Sequence, residues 1–534
     1  MPQPITFGTD GWRAVIADGF TFDNVRRVSE AIAVAARTLE PPEGIDRNAL
    51  VVGFDRRFLS REFAALVAET LRAAGFRVVL SNAPTPSQTI SFTAWRRKLL
   101  GGVVVTASHN PARYNGLKFK AWYGGSGLPE MYAAIAAALG QSSPRAGGSI
   151  EESDLLDDYV AALQAQLDVP KTAKVRILHD PIYGVSSGLP SRILGVDVST
   201  IRGEMNPSFG GVNPEPIPEN LAASIAEMRG ERGSGVGSRE SERAAGFAPT
   251  PDEMRGGRES GVGGRGSEQV KSAGFAPTPD PRPPTPYEKK SPGFAPTPDS
   301  RPPTSYALAI CNDGDADRLG ILDEKGSFVS PQKIIALLAL YLVREKGLAG
   351  EIVKTFSTSR LVEKVARALG SGFHETAIGF KYVADLMLTR DILIGGEESG
   401  GIGFGHFLPE RDGILSGLLV AECVAHYGKP LSRIVDAMEA EFGVLHYDRR
   451  DLSRPMDVCA RLIERVRAGE LDSAFGPGFA KREEKDGVKL NFDDGSWILF
   501  RKSGTEPIIR IYCESPDAGR VGEMLDAAVR ELDR

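Results

Sequence analysis

Short apolar runs alternate with amphipathic segments along most of the chain. The run Gly101–Thr106 is typical of a buried strand, and Ser60–Gly75 has apolar positions at helical spacing and ends on a glycine. The same patterns predict strands at Leu50–Phe54, Val78–Leu80, Leu117–Trp122 (after an Asn115–Gly116 turn), Val175–His179, Val196–Ile201, Ala307–Cys311, Ile352–Phe356 and Ile392–Gly395, and helices at Asn220–Met228, Lys333–Arg344 and Ser359–Leu369. Strands and helices that alternate in this way build α/β layers with mostly parallel strands.

The C-terminal part follows a different pattern. Two predicted strands, Val488–Phe492 and Trp497–Arg501, flank an Asp-Asp-Gly turn, and a helix is predicted at Asp517–Leu532. This arrangement predicts a smaller α+β domain at the end of an α/β chain.

Residues 229–305 lack the composition of a folded domain. They include 13 glycines and 13 prolines but no isoleucine, leucine or tryptophan, too little apolar surface to offset the chain entropy. The sequence GFAPTPD occurs three times at irregular spacing, and we predict a disordered insertion. A docking segment is the alternative, because PRPPTP at 281–286 matches the PxxP pattern that SH3-type grooves bind.

Charge and cysteine content limit the classes of function. The chain has 534 residues, with 64 basic and 70 acidic side chains, and this net charge of −6 argues against a general nucleic-acid binder. The four cysteines form no CxxC pair and are too few for a disulfide framework, which fits a reducing cytoplasm. The N-terminus has no apolar signal-peptide region, and the run Ile334–Val343 is shorter than the ~20 residues that span a bilayer. We therefore expect a cytoplasmic protein that binds neither nucleic acid nor membrane, with Ile334–Val343 as a buried core helix.

A serine follows one of the predicted strands. Ser108 lies in Thr106-Ala-Ser-His-Asn-Pro, directly after the strand GGVVV, and ligands of open α/β sheets bind where strands end. Ser108 is a candidate nucleophile, with His109 and Lys118 as candidate proton-transfer or charge-stabilising groups. A plain Ser-His-Asn-Pro turn is the alternative.

Three aspartates follow another predicted strand. Asp313, Asp315 and Asp317 alternate along an extended loop, where their carboxylates can converge on one cation such as Mg²⁺. An EF-hand is a rival interpretation because Glu324 falls at loop position 12, but Arg318 stands where the EF-hand needs glycine, and the flanks are predicted strands. A solvated acidic turn is the further alternative.

Two more loops carry polar groups. Glu397 and Ser399, in GGEESGG after the strand DILI, could hydrogen-bond sugar hydroxyls, although a helix N-cap with acidic residues is an equal alternative. Arg501-Lys-Ser-Gly-Thr-Glu-Pro could surround a phosphate, with an exposed polar hairpin as the alternative. No GxxxxGK[ST] motif indicates ATP. Together the four loops suggest phosphoryl transfer to or from a sugar phosphate.

The sequence closely resembles the α-D-phosphohexomutase family, the phosphoglucomutases and phosphomannomutases. The resemblance rests on FGTDGWR at 7–13, TASHNP at 106–111, DGDADR at 313–318, GEESG at 396–400 and RKSGTEP at 501–507, with weaker matches at NPEPIPENL (213–221), GFKY (379–382) and PERDGIL (409–415). These segments stand in the family's order and span nearly the whole chain outside the insertion.

The resemblance implies three similar α/β domains with mixed sheets and a C-terminal α+β domain around one central cleft. The corresponding ranges are 1–142 with the serine loop, 143–325 with the metal loop and the insertion, 326–435 with the sugar loop, and 436–534 with the phosphate loop.

The resemblance also assigns roles to individual residues. It implies that Ser108 is the phosphoserine and that Asp313, Asp315 and Asp317 hold one Mg²⁺ per chain, with a phosphoserine oxygen completing the site. The remaining implied roles are contacts to the transferring phosphoryl group by Arg13, His109, Lys118 and Arg318, to sugar hydroxyls by Glu397 and Ser399, to the other phosphate by Arg501, Ser503, Gly504 and Thr505, and to the sugar phosphate by Thr376, Gly379 and Lys381.

The implied reaction converts glucose 1-phosphate to glucose 6-phosphate. The phosphoserine gives its phosphoryl group to a hexose monophosphate, and the serine takes the other phosphate back from the 1,6-bisphosphate, which also acts as the activator. Gly401 stands where members acting on mannose or glucosamine phosphates often have histidine, and Glu-Glu-Ser resembles the glucose-preferring members. A phosphomannomutase or bifunctional enzyme, a sugar-phosphate phosphatase and a non-catalytic scaffold using the Pro-rich insertion are the alternatives.

Overall fold

The computed structural model describes residues 5–8, 10–142, 147–231, 306–502 and 508–534. Residues 232–305 of the predicted insertion, including the PRPPTP segment at 281–286, lie outside the described residues, as do Ser503, Gly504 and Thr505. Within the described part, the strands form four sheets. No helix there is long and apolar enough to cross a membrane.

The first sheet contains the loop with the candidate nucleophile. Its strands are β1 (Phe7–Gly8), β2 (Gly11–Val15), β3 (Asp46–Phe54), β4 (Arg77–Ser81), β5 (Leu99–Val105), β6 (Tyr114–Ala121) and β7 (Ser149–Ser153), and its helices are α1 (Phe22–Thr38), α2 (Ser60–Ala73), α3 (Ser87–Arg96) and α4 (Pro129–Ala137). In the order β1-β2-β6-β5-β3-β4-β7, β3 is parallel to β4 and β5, whereas β6 is antiparallel to β5 and β2. The turn from β5 to β6 therefore places the serine loop beside the strand that carries Lys118.

The second sheet contains the acidic loop. Its strands are β8 (Ile177–Asp180), β9 (Ser199–Thr200), β10 (Leu308–Asn312), β11 (Leu319–Asp323) and β12 (Phe328–Val329), and the helices in this part are α5 (Leu156–Gln166), α6 (Val169–Thr172), α7 (Leu189–Leu194) and α8 (Ala222–Arg229). In the order β12-β11-β10-β8-β9, β10 is parallel to β8 and antiparallel to β11. The three aspartates occupy the turn between β10 and β11, so an EF-hand with flanking helices is excluded.

The third sheet contains the predicted sugar loop. Its strands are β13 (Glu351–Thr355), β14 (Phe373–Thr376), β15 (Ile392–Gly396) and β16 (Ile402–Gly403), and the helices are α9 (Pro331–Arg344), α10 (Arg360–Ala368), α11 (Phe380–Thr389), α12 (Gly413–Tyr427) and α13 (Leu431–Phe442). In the order β14-β13-β15-β16, β13 is parallel to β14 and β15, and β16 is antiparallel to β15. The Glu-Glu-Ser segment is the turn between β15 and β16 and not the start of a helix.

The fourth sheet is entirely antiparallel, as the C-terminal pattern predicts. Its strands are β17 (His446–Ser453), β18 (Phe479–Glu484), β19 (Val488–Phe492), β20 (Trp497–Lys502) and β21 (Ile508–Ser515), in the order β17-β21-β20-β19-β18, with helices α14 (Met456–Ala468) and α15 (Ala518–Leu532). The protein is thus an α/β protein with three mixed sheets and a C-terminal antiparallel sheet domain, as expected.

The largest core joins the second and third sheets. Helix α9 is buried over almost its whole length and packs with residues of β10, β15 and α12 in one continuous apolar cluster. Separate apolar clusters lie between the first sheet and its own helices and between the fourth sheet and its own helices. A helix surrounded by core needs apolar residues on all faces, which explains the run Ile334–Val343 and confirms it as a buried core helix.

Two local predictions are wrong. Asn115 and Gly116 form no turn, because they lie inside β6 and pair with Ala14 and Arg13 of β2. A Cβ on Gly116 would lie 2.6 Å from the carbonyl oxygens of Thr106 and Trp12, so glycine is needed for close backbone packing. The predicted strand Val196–Ile201 is reduced to Ser199–Thr200.

The predicted domain ranges stay a prediction. Strand β7 (Ser149–Ser153) completes the first sheet although it follows residue 142, and β12 (Phe328–Val329) belongs to the second sheet although it follows residue 325. The sheets therefore extend slightly past the predicted boundaries.

Candidate active site

Ser108 lies in a backbone conformation that the surrounding residues impose. It is 1% exposed and has a positive φ of 52°, which non-glycine residues rarely adopt. The buried guanidinium of Arg57 donates hydrogen bonds of 2.6 Å to the carbonyl oxygens of both Ser108 and Asn110, and further bonds to those of Pro111 and Tyr114. One side chain thus fixes four carbonyls of the loop and holds the serine in place.

A carboxylate beneath the loop completes this support. Asp55, at the end of β3, accepts hydrogen bonds from Thr106 and Ser60 and pairs with Arg57 at 3.1 Å. The Thr106 hydroxyl oxygen in turn accepts the Ser108 backbone N–H at 2.9 Å. Burial raises the pKa of Asp55, opposed by the guanidinium of Arg57.

The predicted metal residues converge on the serine. Asp313, Asp315 and Asp317 are buried, and one ligand atom from each lies within 4.8 Å of the others. The Ser108 hydroxyl donates to Asp313 Oδ2 at 2.7 Å, although the two residues are far apart in sequence. The start of α3 supports the acidic turn, because the Ser87 hydroxyl donates to Asp315 Oδ2 at 2.6 Å.

Lys118 lies among the acidic groups. Its ammonium nitrogen is 2.8 Å from Asp315, 3.3 Å from Asp317 and 3.1 Å from Asp10. Burial alone would lower the pKa of Lys118, but these carboxylates raise it above its ordinary value, so the ammonium stays charged. Burial alone would raise the pKa of Asp315, but the Lys118 charge together with the hydrogen bonds from Lys118 and Ser87 outweighs burial and keeps this carboxylate ionised.

The acidic cluster fits a hard divalent cation. Asp315 Oδ1 and Asp317 Oδ1 are buried without a hydrogen-bond partner among the described residues, an unfavourable state for carboxylate oxygens. Burial and the charges of Asp317 and Asp315 raise the pKa of Asp313 well above its usual range, because the three buried carboxylates repel one another's negative charge when no cation lies between them. Carboxylate oxygens that accept no hydrogen bond are free to coordinate a cation, and Mg²⁺ prefers oxygen ligands of this kind.

The other predicted phosphoryl-contacting residues lie around this cluster. His109 Nδ1 is 3.4 Å from the Ser108 hydroxyl oxygen, and burial followed by the positive charges of Arg318 and Arg13 lowers the pKa of His109 well below its ordinary value. Arg13 donates to Asn110 of the serine loop at 2.6 Å. Arg318 donates its backbone N–H to Asp313 Oδ1 at 3.0 Å, and its side chain pairs with Glu215 at 3.2 Å.

The predicted sugar loop reaches the cluster through an arginine. Glu397 is buried, and its Oε2 lies 3.8 Å from Arg411 Nη1, while Nη2 of that arginine lies 2.7 Å from Asp317. Burial raises the pKa of Glu397 to about 7, with Arg411 opposing the rise. Ser399 is half-buried in the same turn, and Glu398 accepts a hydrogen bond from Ser357 at 2.6 Å.

The remaining predicted substrate residues form a second group. Asp486 accepts the Ile378 backbone N–H at 3.2 Å and pairs with Arg501 at 3.1 Å, which joins the β14–α11 turn to the fourth sheet. Thr376 ends β14, Gly379 lies in that turn, and Lys381 lies in the first turn of α11. In the described part of the chain, these residues and Arg501 share no hydrogen bond or ion pair with the serine loop.

The sequence analysis assigned no role to several charged residues that lie around the serine and the acidic loop. Asp10, Arg57, Glu215 and Arg411 all contact predicted site residues. Asp10, Glu215 and Arg411 lie in the FGTDGWR, NPEPIPENL and PERDGIL segments, so the motifs indicated the right loops without assigning these side chains. Arg57 follows β3 outside every motif, and no sequence signal indicated it.

A serine that hydrogen-bonds one of three buried carboxylates, in loops that follow strands of mixed sheets, is typical of an α/β enzyme that transfers phosphoryl groups. Three family models match three parts of the chain, one before and two after residues 146–329. They describe phosphoglucomutase/phosphomannomutase alpha/beta/alpha domain I at residues 4–145, alpha/beta/alpha domain III at 330–442 and the C-terminal domain at 433–531. The chain therefore belongs to the α-D-phosphohexomutase family, and it is a phosphohexomutase, an isomerase whose substrate is a hexose phosphate.

Relatives match over nearly their whole length. A Thermococcus kodakarensis phosphoglucomutase/phosphomannomutase is 29% identical over 541 residues, 99% of this chain and 98% of the relative. A Paenarthrobacter aurescens phosphoglucosamine mutase is 28% identical over 98% of this chain and 97% of its own. A crystal structure from Thermus thermophilus, with a provisional phosphomannomutase assignment, matches at 32% identity with a TM-score of 0.75 and covers 100% of both chains.

Proposed function

We propose that this phosphohexomutase interconverts glucose 1-phosphate and glucose 6-phosphate through phospho-Ser108 and glucose 1,6-bisphosphate. The observation that carries the proposal is the 2.7 Å hydrogen bond from the Ser108 hydroxyl to Asp313 within the buried acidic cluster. A serine at this place can carry a phosphoryl group whose oxygens lie next to a cation site.

Each half-reaction is an exchange of one O–P bond for another. A hexose hydroxyl attacks the phosphorus of phospho-Ser108, the Ser108 Oγ–P bond breaks, and the attacking hydroxyl loses its proton. In the second half, the Ser108 hydroxyl, which took up a proton when its bond to phosphorus broke, attacks the other phosphate of the bisphosphate and loses that proton. The bond between this phosphorus and the sugar oxygen breaks, and the sugar oxygen takes up a proton. The product then carries the phosphate on the other carbon, and the phosphoserine is restored.

The residues around Ser108 have distinct parts in this exchange. His109 is held neutral by burial and nearby arginines, so its ring can accept the proton of an attacking hydroxyl. Lys118 stays charged and orients Asp315 and Asp317, while Arg13 and Arg318 supply positive charge to the phosphoryl oxygens. Mg²⁺ bound by the three aspartates would neutralise negative charge on the same oxygens.

Substrate recognition uses the outer loops in this proposal. Glu397 and Ser399 contact sugar hydroxyls, and Thr376, Gly379 and Lys381 bind the sugar phosphate. Arg501, with Ser503, Gly504 and Thr505, holds the phosphate that is not transferred. The segment Glu397–Ser399 followed by Gly401 supports glucose as the preferred sugar. A phosphomannomutase or bifunctional activity is the second candidate, favoured by the phosphoglucomutase/phosphomannomutase and phosphomannomutase names of relatives.

The test is turnover of glucose 1-phosphate by the purified protein with Mg²⁺ and a trace of glucose 1,6-bisphosphate. Mannose 1-phosphate and glucosamine 1-phosphate are run in parallel, and Ser108→Ala is the matched inactive variant. The proposal expects fastest turnover with glucose, and none in the variant. Faster turnover of mannose or glucosamine phosphate would overturn the sugar assignment, and free phosphate release in place of isomerisation would overturn the mutase reaction.

A further inference from the structure

Arg411 lies where several site segments meet. Its side chain is 11% exposed, and Nη2 lies 2.7 Å from Asp317 Oδ2 of the acidic loop and 3.0 Å from Asp10 Oδ2. Nη1 lies 3.8 Å from Glu397 Oε2, and the guanidinium carbon lies 5.8 Å from the centre of the Phe380 ring in the GFKY segment. One guanidinium therefore contacts segments that carry the cation acids and segments predicted to bind the sugar phosphate.

The residues on either side of Arg411 leave it little freedom to move. The preceding Glu410 pairs with the buried Lys120 at 2.6 Å and accepts a hydrogen bond from Ser91. The following Asp412 caps α12 by accepting the backbone N–H groups of Ile414 and Leu415. Because both neighbours are held by these contacts, the Arg411 backbone has a fixed position and its side chain has little freedom.

Gly401 leaves the space that the Arg411 side chain occupies. A Cβ at Gly401 would lie 2.5 Å from Cδ and 3.1 Å from Cγ of Arg411, and 3.3 Å from Glu397 Oε2. The aliphatic stem of Arg411 therefore occupies the space that any larger residue at position 401 would need. The glycine is required sterically, since no positive φ constrains it.

We propose that Arg411 is a positioning residue that orients the Glu397 carboxylate for the sugar and offsets the charge of Asp317, and that residue 401 is glycine to leave room for the Arg411 stem. The inference deepens the proposed function, since it concerns the same site. The planar guanidinium suits this task because its two terminal nitrogens are held apart in a rigid fork, with Nη1 toward Glu397 and Nη2 toward Asp317 and Asp10.

Removal of the Arg411 charge should strengthen cation binding and weaken binding of the sugar. Arg411→Met keeps an apolar stem and removes a positive charge close to Asp317. The acidic cluster becomes more negative, so Mn²⁺, used as the probe in calorimetry, should bind about 3–10-fold more tightly. Glu397 loses its charged partner, so KM for the hexose phosphate should rise about tenfold, with a smaller change in kcat.

A conservative variant separates charge from geometry. Arg411→Lys restores the positive charge but cannot reach Asp317, Asp10 and Glu397 together. We expect Mn²⁺ affinity to return to the parental value while KM stays raised. A purely structural role would weaken both kinds of binding together with a lower melting temperature, and unchanged Mn²⁺ affinity in Arg411→Met would also overturn the proposal.

A double-mutant cycle tests the part that concerns Gly401. Gly401→Ala should raise KM about tenfold in the parent but less than about twofold further in Arg411→Ala, because the stem it collides with is gone. Gly522→Ala, at an open position on α15, is the control and should change neither background. Equal costs of Gly401→Ala in both backgrounds would refute the steric link.

The experiments also separate this inference from the proposed function. The Mn²⁺ titrations need no turnover, so they decide the role of Arg411 even if none of the hexose phosphates is converted. Turnover of glucose 1-phosphate with unchanged Mn²⁺ affinity in Arg411→Met would leave the proposed function intact and reject the inference.

Discussion

Lys489 of β19 has a buried ammonium group, and the carboxylate next to it is shared with a second buried lysine. Its side chain is 5% exposed, and the ammonium lies 3.7 Å from Glu375, a carboxylate that also pairs with the buried Lys354 at 2.5 Å. The ammonium also donates to the Phe356 carbonyl and lies 3.9 Å from the centre of the Phe356 ring. Burial, followed by the charge of Lys354, lowers the pKa of Lys489 to about 7 from 10.5.

The lowered pKa of Lys489 makes the free energy of unfolding depend on pH. Each tenfold change in proton affinity corresponds to about 1.4 kcal/mol, so protonated Lys489 costs the folded state about 5 kcal/mol at low pH. Between pH 7 and pH 10.5 the unfolded chain binds a proton that the folded chain does not, so the free energy of unfolding rises with pH in this window. From about pH 6.5 to about pH 9.5 the gain attributable to Lys489 is about 3 kcal/mol.

Lys489→Met removes this titration, and the comparison of variant and parent isolates it from every other group. We expect the variant to be the more stable at about pH 6.5, and its advantage to shrink by about 3 kcal/mol at about pH 9.5. The measurement is urea unfolding at both pH values. Lys485→Met, at an exposed lysine 3.5 Å from the same Glu375, is the matched control and should show no such change. An advantage of Lys489→Met that stays constant with pH would refute the reasoning.

Further outcomes follow from the site and its support. Asp315→Asn should weaken Mn²⁺ binding at least about tenfold by calorimetry, because one of the buried carboxylates with an unpartnered oxygen loses its charge. The kcat/KM for glucose 1-phosphate should rise with pH across about 7 as Glu397 ionises, and Glu397→Gln should remove that rise. Gly116→Ala should lower stability by about 2–3 kcal/mol in urea unfolding, since the new methyl group meets two backbone carbonyls. A stable Gly116→Ala variant would show that β2, β6 and the serine loop can separate without cost.

The candidate site was largely predictable because its chemistry is concentrated in short loops. Ser108 and the three aspartates each follow an apolar strand, and polar residues at strand ends are exposed to ligand in sheets of this kind. Alternating strands and helices likewise indicated the α/β class, and the sequence resemblance indicated the order of the loops. These features depend on local spacing, which a sequence displays directly.

The sequence alone therefore indicated about half of the strands and about a third of the helices that the structure describes, together with the acidic triad and the serine. The folded structure was needed to show that Arg57 fixes four carbonyls around the serine, that Arg411 joins Asp317 to Glu397, and that Gly116 lies within a strand. The physical reason is distance along the chain. Hydrogen bonds, ion pairs and close backbone contacts between distant residues depend on how the sheets pack, and no local pattern of apolar and polar residues encodes that packing.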